Sequence, residues 1–149
     1  MREYDMNSSE YTMTAACGIR CAECECHKAK DSEQLMQYLI GVGIPADRLP
    51  CPGCRAVEGK CPVISETCVT YVCSQEKGVN FCFECSDFPC EKLHPAADRA
   101  NVLPHNLKVN NLCIIMNRGL AAFTEEAAAG KQKYFQGKMM VGRGPQTGE

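Results

Sequence analysis

No apolar run in this chain is long enough to span a bilayer, which argues against a transmembrane protein. The opening stretch, Met1 to Glu10, is acidic and has no apolar centre, so it does not read as a secretory leader. Basic runs with interleaved aromatic residues are also missing. Nucleic acid is held mainly by phosphate-neutralising basic surfaces, so a nucleic-acid partner is not favoured. Paired catalytic acids, a Ser/His/Asp set, a phosphate loop and an H-E-x-x-H helix are all absent. The residues specify no catalytic constellation, and a non-enzymatic role is the expectation. Glu23 and Glu25 flank a cysteine, but a solvated face accounts for them.

What the chain does have is cysteine, thirteen in 149 residues. Twelve lie between Cys17 and Cys90. Cys21-Ala-Glu-Cys24, Cys51-Pro-Gly-Cys54 and Cys82-Phe-Glu-Cys85 each carry two thiols in C-x-x-C spacing, which lets a tight turn aim both sulfurs at one ion. A disulfide scaffold is the competing reading. The odd count and the lack of a leader speak against it and for a reducing, cytoplasmic compartment. A redox dithiol needs a strand before and a long helix after. The flanks here are rich in Pro, Gly and Cys instead.

Charge divides the chain. Residues 1–90 hold eight Lys and Arg against thirteen Asp and Glu, and residues 91–149 hold eight against five. Four thiolates on one zinc ion would leave about −2 more per site in the first part. A solvated helix face is reason enough for the positive tail.

The expected fold class is mainly α: a small, irregular, metal-stapled domain with cysteine knuckles and a C-terminal helical pair. Residues 1–13 read as a flexible arm, 14–135 as a single cysteine-rich domain and 136–149 as a flexible tail. From Thr14 to Cys24 the cysteines fall at i, i+4 and i+7. A helix would hold Cys17, Cys21 and Cys24 within an arc of about 60°. Thr14 would cap that helix, although Gly18 weakens it. Cys26 would point the opposite way, to another site or to none. A capping box of Asp31 and Gln34 would open a second helix with Leu35, Met36, Leu39 and Ile40 inward, ended by Gly41 and Gly43. Met36 reads as core filler. Ser65 to Lys77 leans helical, with Gly78 as its stop. On it Cys68 and Cys73 diverge by about 140°, too far for one ion. The Cys82–Cys90 segment reads as a loop that opens a helix near Pro89. Asn106 to Arg118 and Leu120 to Phe135 make the helical pair, with Thr124 or a neighbour capping the second. Cys113 lies on an apolar helix and reads as core. Leu112, Ile115 and Phe123 are expected to bury against Leu35–Ile40.

The order Cys17-Gly-Ile-Arg-Cys21-Ala-Glu-Cys24, Cys51-Pro-Gly-Cys54-Arg55, Cys68-x4-Cys73 with Glu76-Lys77-Gly78, and Phe81-Cys82-x2-Cys85-x2-Phe88-Pro89-Cys90-Glu91-Lys92-Leu93 resembles the prokaryotic cysteine-rich domain-of-unknown-function family 3795. The resemblance runs from about Cys17 to Phe135. It implies ten recurring cysteines, Cys17, Cys21, Cys24, Cys51, Cys54, Cys68, Cys73, Cys82, Cys85 and Cys90, as the metal ligands. Cys26, Cys61 and Cys113 fall outside the pattern. The resemblance supports metal binding and names no reaction.

Zinc takes four Cys or His ligands in closed structural sites and is the preferred cofactor, with a [4Fe-4S] cluster as the alternative. The spacing Cys17-x3-Cys21-x2-Cys24 is that of radical-SAM enzymes, but the chain is too short for their partial barrel and no glycine-rich motif follows. His27 or His94 would be able to complete a four-ligand shell, although surface or capping roles suit both better. His105 offers nothing specific. Three functions follow: a metal-stapled binding or adaptor module for a protein partner, an iron–sulfur electron carrier or accessory subunit, and a thiol-, sulfur- or metal-transfer enzyme using exposed cysteines such as Cys26 or Cys61. The first is preferred, because ligands are all that the residues specify.

Overall fold

A computed structural model describes residues 2–93, 107–142 and 144–147. The chain is mainly helical. Its α-helices are α1 (Ser9–Thr12), α2 (Glu25–Lys28), α3 (Glu33–Gly41), α4 (Val69–Lys77), α5 (Leu107–Arg118) and α6 (Leu120–Gln136). Single 3-10 turns cover Cys21–Glu23, Ala29–Asp31, Ala46–Arg48, Cys82–Glu84 and Glu91–Leu93.

The C-terminal helical pair forms as the periodicity predicts, α5 packing on α6. Thr124 does not cap α6. Gly119, at φ 93°, is the N-cap, and the Thr124 hydroxyl donates to the Ala121 carbonyl inside the helix. In the segment read as a loose tail, β1 (Lys138–Met140) and β2 (Gly144–Gln146) pair as an antiparallel hairpin, with Lys138 opposite Gln146.

Leu112, Ile115 and Phe123 are fully buried, but not against Leu35–Ile40. They share the main core with Tyr11, Phe81 and Leu93. Leu39 belongs to a second, smaller core with Cys26, Ala29 and Cys51, against which Leu35 and Met36 pack. The expectation overlooked Tyr11 and Phe81, single aromatics in unpatterned segments. Each large ring buries as much surface as a turn of small apolar residues. The arm is therefore tied down. Tyr4, Tyr11 and Phe81 meet edge-on or tilted at 5.1 to 6.0 Å, and Arg2 donates to the Ile115 and Met116 carbonyls.

The expected helix over Thr14–Cys24 does not form. Gly18 sits at φ 91°, and Thr14 pairs with Arg20 in an antiparallel bridge, so residues 15–19 make a tight turn. α5 explains the glycine. A Cβ on Gly18 would lie 3.0 Å from both Leu112 Cγ and the Lys108 carbonyl oxygen, while Asn111 Nδ2 donates to the Gly18 carbonyl at 2.9 Å. The cost that Gly18 imposes on a helix was the stronger signal.

α3 starts one residue later than the capping box predicts. Ser32 is the cap, and its hydroxyl accepts from the Leu35 N–H at 3.1 Å. α4 begins at Val69 rather than Ser65 and stops at Gly78 in the left-handed conformation, as a glycine C-terminus does. Only a 3-10 turn follows Pro89 among the described residues. Cys113 is half-buried on α5 and joins neither core, which corrects its reading as a core residue.

Candidate metal centre

All thirteen cysteines are free thiols. They are gathered by turns rather than helix faces. The three C-x-x-C pairs do sit on turns: Cys21 to Cys24 and Cys82 to Cys85 each span a 3-10 turn, and Cys51 to Cys54 a glycine turn with Gly53 at φ 121°. Such turns point backbone N–H groups at sulfur. Gly53 N–H donates to Cys51 Sγ at 3.4 Å, Asp87 N–H to Cys85 Sγ at 3.3 Å and Cys54 N–H to Cys21 Sγ at 3.4 Å. The N–H groups of Ile19, Cys26 and Val63, each two residues on, act electrostatically in the same direction on the thiols of Cys17, Cys24 and Cys61. An N–H donor favours the charged thiolate, the form that binds metal.

One N–H···S bond and mutual electrostatics bring Cys17, Cys21, Cys54 and Cys68 into one neighbourhood, with Cys17 also felt at Cys82. The Cys54 thiol donates to Cys21, which lowers the pKa of Cys21 and raises that of Cys54. Burial raises Cys17, and the charges of Cys68 and Cys21 add to it. Lys108, buried on α5, opposes that rise. Cys68 sits at the N-cap of α4, whereas Cys73 lies on the helix and lines a cavity that does not include Cys68.

A second group is Cys73, Cys82, Cys85 and Cys90. These four thiols line one cavity of about 70 Å³ together with Lys77, Lys92 and Phe88. Lys92 Nζ lies 3.7 Å from Cys73 Sγ, and Lys77 bonds both Asp87 and Cys85. Burial pushes the Cys82 thiol up to about 12, helped by the charges of its neighbours.

Cys51 belongs to the second core and Cys24 packs against it, although the charge of Cys24 reaches Cys21 and that of Cys21 reaches Cys51. Hydrogen bonding from the Cys26 thiol lowers Cys24 to about 6. His27 Nδ1 meets the Cys51 carbonyl at 2.8 Å, so this ring holds the knuckle backbone through that nitrogen. His94 and His105 lie outside the described residues. Among the described residues, no three His, Cys, Asp or Glu side chains converge tightly enough, as they stand, to hold a metal ion. Cys26 is 3% exposed, which removes it from the exposed thiols that a transfer enzyme would use.

Several positioning residues escaped the sequence reading. Arg55 directly follows the Cys51–Cys54 knuckle and is clamped between the rings of Tyr11, at 3.9 Å, and Phe81, at 5.0 Å. Its guanidinium donates to the carbonyls of Tyr11, Thr14 and Asn80, locking the knuckle to the main core. Its place directly after a C-x-x-C pair was the available signal. Lys131 on α6 bonds the Glu23 carbonyl and the Glu25 carboxylate, and its charge lowers Cys24. With Lys108 beside Cys17, each helix of the basic tail delivers a cation to a thiol group. The charge division along the sequence thus has a structural counterpart.

No described helix is long and apolar enough to cross a membrane. No curated protein and no solved structure matches the chain. The family model described as protein of unknown function (DUF3795) matches residues 13–95, ending before α5 rather than at Phe135. That segment holds every cysteine except Cys113 and covers more than half of the chain, which therefore belongs to the DUF3795 family.

Proposed function

We propose that this chain binds metal through its clustered thiolates, zinc before iron, and that the metal staples residues 13–93 into a platform for a protein partner. The observation that carries the reading is the grouping of free thiols on turns whose backbone N–H groups bond to sulfur. The donor set fits zinc: soft thiolates in groups of four, each near a cation that offsets the excess negative charge of a tetrathiolate. Cys17, Cys21, Cys54 and Cys68 would hold one ion, and Cys73, Cys82, Cys85 and Cys90 another. Binding has to draw each group of sulfurs to about 2.3 Å from the ion, by side-chain rotation about the turns. A zinc closed by four thiolates supplies folding energy rather than an open catalytic position. For the partner, α4 leaves Val69 and Val72 exposed three residues apart, hence on one helix face.

A [4Fe-4S] cluster is the second reading, favoured by the cavity between Cys73, Cys82, Cys85 and Cys90. Its volume of about 70 Å³ is several times the roughly 10–15 Å³ that one water needs, and is roomy for one ion. Lys77 and Lys92 beside the sulfurs would tune a cluster potential.

Metal analysis and absorption spectroscopy of the full chain, purified without oxygen, test both. Stoichiometric zinc without colour supports the first reading. A brown protein with iron and sulfide supports the second. A chain that retains neither metal and takes up neither under reducing conditions contradicts both.

A further inference from the structure

We infer that Cys24, Cys26, Cys51 and Cys61 form a third four-thiol metal site, with Cys26 and Cys61 as ligands that the ten-cysteine pattern leaves out. The inference rests on the metal-binding reading above. Taken by neighbourhood, the ten pattern cysteines fall into two fours and a remainder, Cys24 and Cys51. A pair of thiolates does not close a structural zinc site, which takes four ligands.

Two further thiols stand at that remainder. Cys26 and Cys51 are buried in the second core at 3% and 7% exposure, and Cys24 packs against the same core. The backbones are tied directly, since the Cys51 N–H donates to the Cys26 carbonyl at 2.8 Å. His27 adds its bond to the Cys51 carbonyl from the other side of Cys26. Cys24 has extended backbone, φ −77° and ψ 134°, at the entry to α2. Cys24 therefore stands outside the helix that carries Cys26, and the two thiols hydrogen-bond across that break. The helical reading of Thr14–Cys24 put Cys26 on the opposite face for want of this break.

Cys61 comes from the loop that follows the knuckle. Arg48, three residues before Cys51, donates to the carbonyls of Ile64 at 3.0 Å and Lys60 at 3.5 Å. One side chain thus holds the Cys61 loop beside the approach to Cys51. Cys61 is felt at Cys26 and itself feels Cys24 and Cys51, with Cys54 and Cys68 of the first group also in reach. The plainer reading makes Cys26 an inert core thiol. That reading gives no reason for a second half-buried thiol, Cys61, to sit in a loop tied beside the same knuckle.

Metal content per chain decides the matter, measured on anaerobically purified full-length Cys26→Ala, Cys61→Ala and the double variant, with Cys113→Ala as control. Each single variant is expected to carry one metal equivalent fewer than wild type. The double variant should lose no more than either single, since both residues serve one ion. Wild-type metal content in both single variants overturns the inference and leaves the other two sites standing. A wild-type chain that takes up neither zinc nor iron overturns the metal reading itself. Should Cys26→Ala not fold, alkylation of the native wild-type chain decides instead. Cys61 and Cys24, both half-buried, should resist iodoacetamide until a chelator is added and then label together. Labelling of Cys61 while the full metal complement is still bound contradicts the site.

Discussion

Residues 13–93 and residues 107–136 bury different chemistry. In the first region the α-helices reach nine residues at most, and two of the four buried members of its own core are cysteines, Cys26 and Cys51. In the second, helices of 12 and 17 residues bury Leu112, Ile115 and Phe123 without residual exposure. A core of small groups and thiols yields little transfer energy, so on the proposed reading metal cross-links add most to the first region. The regions are nonetheless one unit, because Phe81 and Leu93 of the first share the main core with the helical pair. The helices in turn place Lys108 and Lys131 near Cys17 and Cys24.

The largest effect should come from removing a thiol ligand in the first region. Cys82→Ser is expected to lose one metal equivalent and to expose residues 73–93 to protease, because site binding energy is folding energy. Full metal content with native protease resistance would show that Cys82 is not a ligand. In the second region, Phe123→Ala should cost about 3–5 kcal/mol in denaturant unfolding while the metal per chain stays unchanged. Loss of metal along with stability would show that the two regions cannot be told apart in this way.

The same contrast governs what was legible in the sequence. The sequence marked α5 and α6 almost to the residue, since Leu107, Leu112, Ile115 and Met116 lie on one helical stripe and Gly119 separates the two helices. The three C-x-x-C pairs marked three of the turns correctly. The Thr14–Cys24 segment misled because cysteines at i, i+4 and i+7 imitate a helix face, while the φ of Gly18 is set by α5, far along the chain. The contacts of Phe81 and Arg55 are equally non-local, and no window of sequence holds both partners. The neighbourhood of each thiol is the extreme case, since Cys17 and Cys68 come within electrostatic reach of each other only through the fold.

A smaller effect sharpens the seam between the regions. Gly18→Ala should destabilise by about 1–3 kcal/mol, read from the denaturant midpoint, because it puts a Cβ at φ 91° against Leu112 and the Lys108 carbonyl. A neutral result would mean that α5 does not seat on this turn. The smallest effect is expected at the thiol of the helical pair. Cys113→Ala, half-buried and outside both cores, should cost about 1 kcal/mol or less and keep all the metal. A lost equivalent there would make Cys113 a ligand and the contrast between the regions false.

Hydrogen exchange of the whole chain, followed by mass spectrometry with and without a metal chelator under reducing conditions, tests most directly whether metal holds the first region together. The account predicts that amides of residues 13–93 protected in the metal-bound chain lose that protection when the metal is stripped. Unchanged protection of those amides in the stripped chain would contradict it.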